Sequence, residues 1–131
     1  MINEAKYLNV GCPSDTFFAK EGVLVMQAIT TRDQFNEVIN SDKPVIVKFF
    51  ADWCPDCKRM DMFIGDILEE YKNYEWYELN SDEVEGIAQE QDVMGIPSIL
   101  IFQNGEKLAH QHSAYTKTPE EVREFLQQQL G

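Results

Sequence analysis

The sequence predicts an α/β fold in which a mixed central sheet of about five strands is sandwiched by four helices. From residue 23 onward, short runs of β-branched and aromatic residues alternate with segments of helical apolar spacing, which is typical of parallel strands joined by helices. Later in the chain, two strand-like runs flank Asn104-Gly105, the dipeptide that most favours a tight antiparallel hairpin. Parallel and antiparallel pairs together give a mixed sheet.

The first half of the chain predicts a strand, a helix and a second strand. Residues 23–29 form a strand-like run, and Thr31 and Gln34 have the spacing of a capping box that opens a helix. Residues 44–50, PVIVKFF, are almost continuously apolar. A run of this kind is expected of a central strand covered on both faces.

The second half predicts three helices and three strands. Residues 60–71 have apolar side chains at the spacing of a long amphipathic helix, residues 74–80 read as a strand, and residues 84–91 as a short helix. The hairpin follows. A last helix opens with Thr118 as its cap and Pro119 at its first position, an arrangement that needs no backbone donor from the proline.

Residues 26–131 are therefore predicted to form one compact domain, and residues 1–25 an N-terminal extension without clear periodicity. Met26 stands where the compact part begins. One interpretation is that Met26 is the natural start and that the preceding residues are a leader that is not native; the other is an ordinary flexible arm. The intact mass of protein from its native source distinguishes the two.

Charge and cysteine content limit the function classes. The formal net charge of −12 disfavours binding to nucleic acid or to anionic membranes, because no basic surface is available to neutralise phosphates. The N-terminal residues lack the layout of a secretory signal, and no apolar run has the length of a membrane span. Three cysteines are too few for a disulfide scaffold. We therefore expect a cytoplasmic protein. We also expect it to be a monomer.

Two of the three cysteines lie at the predicted junction of the central strand and the long helix. Cys54 would be the N-cap of that helix, with Pro55, Asp56 and Cys57 in its first turn. Unpaired backbone N–H groups and the helix dipole would stabilise a Cys54 thiolate. Cys57 would lie one turn away as the resolving thiol, which is what thiol–disulfide exchange requires.

Two other interpretations of the cysteine pair are weaker. A metal site needs more ligands, and the remaining candidates, Cys12, His110 and His112, form no second ligand pair. A purely structural disulfide is disfavoured in a reducing cytoplasm. We therefore favour a redox dithiol without a metal, and we interpret His110 and His112 as surface residues without a role.

The stretch ADWCPDCK is followed by MGIPSILIF, by the FQNGE hairpin and by the closing helix. With these motifs the chain resembles the thioredoxin family from residue 26 to residue 131. The resemblance implies a thioredoxin fold, an exposed Trp53 beside the nucleophile, and a cis peptide bond between Ile96 and Pro97 that brings the backbone of Ile96 to the substrate. The simpler alternatives are that Pro97 only precedes a strand and that Trp53 is an ordinary buried aromatic.

The dipeptide between the cysteines departs from the commonest family motif. That motif has Gly-Pro, whereas this chain has Pro55 and Asp56. A carboxylate near the sulfur should raise the pKa of Cys54 and make the couple more reducing, with Lys58 offsetting part of the effect. The alternative is that Asp56 only stabilises the helix N-terminus.

A second departure lies on the strands beneath the cysteines. The family usually has a buried aspartate where this chain has Lys48, and a lysine where it has Glu78. We expect Lys48 to need a partner in a covered strand, and we interpret Glu78, held by Lys48, as the group that moves the proton of Cys57. The alternative is that Lys48 extends its amino group to the surface.

Further positions concern helix shape and substrate docking. Met62 replaces a proline that usually bends the long helix, which predicts a straighter helix, and Phe50 stands where a second tryptophan is common. Ser113 occupies a rim position that is usually glycine and should narrow docking. Trp53, Met94 and Ile96 would form the apolar rim that contacts substrate.

The residues and the resemblance together predict reduction of protein or small-molecule disulfides by Cys54 and Cys57. No bound cofactor is implied, and the resemblance points to a flavin-dependent thioredoxin reductase as electron donor. Two alternatives remain. One is an oxidase or isomerase, which would call for a neutral or basic residue at position 56, where this chain has an aspartate. The other is a binding module whose dithiol senses redox state without turnover.

Overall fold

The computed structural model describes residues 26–130. The predicted extension, with Cys12, lies outside the described residues. The strands are β1 (Gln27–Ile29), β2 (Val45–Phe50), β3 (Glu75–Asn80), β4 (Ser98–Gln103) and β5 (Glu106–Gln111). The α-helices are α1 (Arg32–Ile39), α2 (Pro55–Asp61), α3 (Ile64–Glu70), α4 (Ile87–Glu90) and α5 (Pro119–Leu130), and a 3₁₀ turn spans Ser113–Tyr115.

The sheet is mixed and five-stranded, as predicted. Its strand order is β1-β3-β2-β4-β5. The pairs β1·β3 and β2·β3 are parallel, whereas β2·β4 and β4·β5 are antiparallel. The hairpin turn places Asn104 and Gly105 at φ of 55° and 82°, the left-handed conformations that this dipeptide favours.

The central strand β2 is covered on both faces, which explains its nearly continuous apolar sequence. Val45, Val47 and Phe49 pack in one buried cluster, and Ile46 packs in the cluster on the other side of the sheet. Lys48 is the exception, because it is a charged residue in a strand that is otherwise apolar. Within residues 26–130, no helix has the length and apolar character needed to cross a membrane.

The straighter helix expected from Met62 is not observed. α2 ends at Asp61 and α3 begins at Ile64. The N–H groups of Met62 and Phe63 donate to carbonyls three residues back, at 3.1 and 3.0 Å, so the chain tightens into a 3₁₀-type turn. Met60 and Ile64, on either side of the break, are buried in the same cluster. The helix is therefore interrupted without a proline, while the side chains on both sides of the break remain in one core cluster.

Both predicted threonine caps form. Thr31 Oγ1 accepts from the N–H of Gln34 at 3.1 Å, but the side chain of Gln34 returns to the N–H of Thr30 instead of Thr31. At α5 the capping box is reciprocal: Thr118 Oγ1 accepts from the N–H of Glu121 at 3.2 Å, and Glu121 Oε1 accepts from the N–H of Thr118 at 3.1 Å.

Candidate active site

Cys54 and Cys57 meet at the N-terminus of α2, directly after the carboxyl end of β2. Cys54 is the N-cap, Pro55 occupies the first helical position, and Cys54 Sγ accepts a hydrogen bond from the N–H of Cys57 at 3.1 Å. The two cysteines form a disulfide, with Cα atoms 5.3 Å apart. This is the local geometry that the spacing predicted, and it presents a backbone donor to the sulfur that would carry the thiolate charge.

The loop before β4 lies against the disulfide. The peptide bond between Ile96 and Pro97 is cis, and the carbonyl oxygen of Ile96 lies 3.6 Å from Cys54 Sγ. Ile96 also packs on the small cluster formed by Ala51 and the two cysteines. The structure thus brings together residues 42 positions apart, which only the family resemblance had placed side by side.

A groove of about 410 Å³ opens beside Cys54. Trp53, Met94 and Ile96, the predicted apolar rim, all line it. The side chains of Trp53 and Met94 are 68% and 90% exposed, so the interpretation of Trp53 as a buried aromatic is wrong. The indole N–H of Trp53 donates to Asp82 Oδ2 at 2.8 Å, which orients the ring at the edge of the groove.

Asp56 is paired with a lysine that sequence reasoning missed. Lys117 Nζ donates to Asp56 Oδ2 at 2.5 Å, and Arg59 lies 3.9 Å from Oδ1. The hydrogen bond from Lys117 is the main cause that lowers the pKa of Asp56 below its ordinary value. Lys58, the expected counter-charge, is not among these partners. No local signal could have identified Lys117, because 61 residues separate it from Asp56.

Lys48 is buried, with a side chain only 2% exposed, so its amino group does not extend into water. Its Nζ donates to Asp61 Oδ1 at 2.5 Å. Glu78 lies beside Lys48 in the register of β2 and β3, but the direct partner of Lys48 is Asp61 and not the expected Glu78. Asp61 is the last residue of α2, and its carboxylate lies within hydrogen-bond distance of Lys48.

Glu78 is half-buried beside this ion pair. Burial raises the pKa of Glu78 above its ordinary value, the charge of Lys48 acts in the opposite direction, and the charge of Asp61 adds to the rise. Lys48 also lies over the ring of Phe50, with Nζ 5.4 Å from the ring centroid. Three charged groups therefore lie close together beside α2: the buried Lys48, the half-buried Glu78 and the exposed Asp61.

The segment after β5 closes the other side of the site. A Cβ atom built on Gly95 would lie 2.4 Å from Ser113 Oγ, so the serine packs tightly over this glycine at the rim. Thr116, which sequence reasoning also missed, is 2% exposed and donates through Oγ1 to the carbonyl of Pro97 at 3.1 Å. Ser113 and Thr116 thus hold the loop that carries the cis bond.

The rings of His110, on β5, and His112, which precedes the 3₁₀ turn, are stacked with centroids 4.0 Å apart. His112 is exposed as expected, whereas His110 is half-buried, and both line an open pocket at the surface. Burial, followed by the charge of Lys107, lowers the pKa of His110 to about 4. Among residues 26–130, no group of three or more His, Cys, Asp or Glu residues is placed to hold a metal ion.

Comparisons with known proteins agree with this geometry. The family model described as "Thioredoxin" matches residues 26–128. The chain is 37% identical over 79 residues to Thioredoxin-1 of Saccharomyces cerevisiae, covering 60% of this chain and 77% of that protein. It is 35% identical over 98 residues to Thioredoxin AMT13 of Alternaria alternata, covering 74% of this chain and 83% of that protein.

A plant relative and a solved structure extend the comparison. The chain is 35% identical over 103 residues to the chloroplastic M-type thioredoxin of Spinacia oleracea, covering 78% of this chain but only 54% of that protein. The crystal structure of Malassezia sympodialis thioredoxin superposes with a TM-score of 0.71 at 29% identity, over 80% of this chain and 90% of that chain.

Proposed function

The chain belongs to the thioredoxin family of thiol–disulfide oxidoreductases, and we propose that it reduces disulfides of proteins or small molecules in the cytoplasm through Cys54 and Cys57. One observation carries this proposal: the sulfur of Cys54 accepts a helix N–H and borders an open groove. A thiol in that position is stabilised as a thiolate, and although only 3% of Cys54 is exposed in the oxidised protein, it lines the groove in which a substrate disulfide would dock.

The reaction balances in two exchange steps. The Cys54 thiolate attacks one sulfur of the substrate disulfide, forms a mixed disulfide and releases the other substrate sulfur as a thiolate that takes up a proton. Cys57 then loses its proton and attacks Cys54 Sγ, which releases the second substrate thiol and closes the Cys54–Cys57 bond. Two electrons pass from the two protein sulfurs to the substrate.

An external donor must then return two electrons and two protons to the disulfide. Family membership favours a thioredoxin reductase in this role, and the sulfurs themselves store the electrons, so the exchange step requires no bound cofactor. Low cysteine content is consistent with a reducing compartment.

We assign substrate docking to the groove beside Cys54. Trp53, Met94 and Ile96 supply apolar contact area, and the backbone beside Pro97 lies next to the sulfur that is attacked. Ser113 narrows one end of this rim through its contact with Gly95. Pro55 and Asp56 form the part of the rim that belongs to α2.

We assign Glu78, held near Lys48, to the transfer of the Cys57 proton. Its half-buried position and raised pKa suit a carboxyl that accepts and returns a proton. Glu78→Gln should slow resolution of the mixed disulfide on the order of tenfold to a hundredfold and flatten its pH dependence. Glu75→Gln, the same change on the same strand, is the matched control. If Glu78→Gln resolves the mixed disulfide at the wild-type rate at every pH, Glu78 does not transfer the proton of Cys57.

Turnover tests the proposed function directly. In a Cys12→Ser background, which leaves one dithiol to count, reduction of insulin coupled to a thioredoxin reductase should require both Cys54 and Cys57. The variant Cys57→Ser should accumulate a mixed disulfide that Cys54→Ser cannot form. If the wild-type protein forms its disulfide but shows no turnover, the binding and redox-sensing alternative replaces the reductase.

A redox titration separates the reductase from an oxidant. We expect a midpoint near the thioredoxin value of about −270 mV. A midpoint well above about −180 mV would place the protein among oxidases and isomerases instead.

A further inference from the structure

Lys117 lies outside the motif that carries the two cysteines, yet it forms an ion pair with the residue between them. Its Nζ donates to Asp56 Oδ2, while the carboxylate's other oxygen faces Arg59 at the longer distance of 3.9 Å. Asp56 occupies the second position of α2, and Cys54 is the cap of the same helix. A charge held on Asp56 is therefore held close to the sulfur of Cys54.

The backbone that carries Lys117 is anchored on both sides. Thr116 is buried and donates through Oγ1 to the carbonyl of Pro97 at 3.1 Å and to that of Ser113 at 3.0 Å. The N–H of Lys117 itself donates to Glu121 Oε1 at 2.9 Å, next to the capping box of α5. Because its backbone is fixed, the lysine loses less freedom on pairing than a side chain on a mobile loop would.

The pair is half-open to solvent. The side chains of Lys117 and Asp56 are 41% and 36% exposed. An ion pair of this kind adds little to folding stability. It can still tune a nearby titrating sulfur, because a thiol equilibrium responds to each charge at short range even in a water-like dielectric.

We propose that Lys117 is a positioning residue for the dithiol: by holding and neutralising the carboxylate of Asp56, it stabilises the Cys54 thiolate and makes the couple less reducing than the Pro-Asp motif alone would. This inference rests on the proposed use of Cys54 as the attacking thiolate. It replaces Lys58, which the sequence suggested as the offsetting charge, with a residue from the segment that also holds Pro97.

The expected size follows from the charge. At the short range that separates neighbouring side chains in the first turn of a helix, one unit charge changes a thiol ionisation constant about threefold in a water-like dielectric. Lys117→Ala should therefore raise the pKa of Cys54 by about 0.5. Arg59, 3.9 Å from Oδ1, remains as the weaker partner of Asp56 in the variant. Measured at a pH where Cys54 is ionised, the midpoint potential should fall by about 14 mV, since a tenfold change in this two-electron couple is about 30 mV.

The test is a double-mutant cycle of Lys117→Ala and Asp56→Asn in the Cys12→Ser background. Thiolate absorbance across pH gives the pKa of Cys54, and a redox titration with a mass-shifting thiol reagent gives the midpoint. In the presence of Asp56, Lys117→Ala should produce both shifts, and raising the salt concentration should reduce them. In the Asp56→Asn background the same substitution should produce clearly smaller shifts, because Lys117 is then no longer held beside the N-terminus of α2.

Three more variants distinguish the charge of Lys117 from its packing and from positive charge elsewhere on the surface. Lys117→Arg should retain the wild-type pKa and midpoint because it keeps the charge. Lys72→Ala, which removes an exposed lysine paired with Glu69 on α3, should leave both unchanged. Lys58→Ala should shift both values less than Lys117→Ala does. Urea unfolding of each variant verifies that the fold is intact.

The proposal is overturned if Lys117→Ala leaves the pKa and the midpoint at their wild-type values, or if its shifts are equally large without Asp56. Neither measurement uses a substrate or a reductase. A protein without turnover would therefore contradict the proposed function, and the double-mutant cycle would still show whether Lys117 changes the pKa of Cys54 and the midpoint potential.

Discussion

Replacing Lys48 with methionine removes one buried positive charge and keeps a side chain of similar length in β2. Lys48 is 2% exposed, bonds to Asp61, and lies in register with Glu78. Asp61 is 60% exposed, so water can solvate it after the change, but Glu78 is half-buried and loses its compensating cation. Breaking a fully buried pair costs about 3–5 kcal/mol; with one partner exposed we expect about 2 kcal/mol at neutral pH.

The loss of unfolding free energy in Lys48→Met should increase as the pH rises from acidic to neutral. Burial raises the pKa of Glu78 above 4.5, so the folded state favours its protonated form. The stability from a raised pKa is fully present below the unfolded value and is lost as the pH rises through the folded one. Without Lys48 the pKa of Glu78 rises further, and this loss becomes larger. Lys48→Met should therefore differ little from wild type at about pH 4 and most near neutrality.

Urea unfolding of the oxidised protein at a series of pH values measures this, with the fluorescence of the buried Trp76 as the signal. The double variant with Glu78→Gln is the control, because it removes the charge that Lys48 compensates and should recover most of the stability. Equal stability of Lys48→Met and wild type at neutral pH, or a difference that does not change with pH, would refute the reasoning.

Three further predictions address docking, packing and capping. Trp53→Ala should slow reduction of a protein disulfide about tenfold, because it removes an exposed aromatic side chain that contacts the substrate. Reduction of a small soluble disulfide should slow by less than about twofold. Equal effects on the two substrates would mean that Trp53 does not contact the protein substrate. Gly95→Ala should lose about 1–3 kcal/mol of unfolding free energy through its clash with Ser113, and Ser113→Gly in the same chain should restore it. Thr118→Ala should cost about 1 kcal/mol in urea unfolding by removing the cap of α5, and no loss would mean that the cap is dispensable.

Local features of the sequence predicted most of the fold and the reacting pair. The strand β2, the hairpin at Asn104-Gly105 and the helix that starts between Cys54 and Pro55 all follow from periodicity or from the conformations that single residues prefer. Neighbouring residues determine these features, and three-dimensional packing reinforces them without changing them. The mixed sheet, which the order of these elements predicted, is also confirmed.

Tertiary structure alone decided the partners of the charges around that pair. Asp56 pairs with Lys117 and Thr116 holds Pro97, across 61 and 19 residues. Lys48 bonds to Asp61, the last residue of α2, and not to the expected Glu78. Such contacts depend on sheet register, on where a helix breaks and on how a loop folds back, and sequence spacing encodes none of these distances. The identity of the reacting sulfurs is therefore local, whereas the charges that tune them depend on the packed fold.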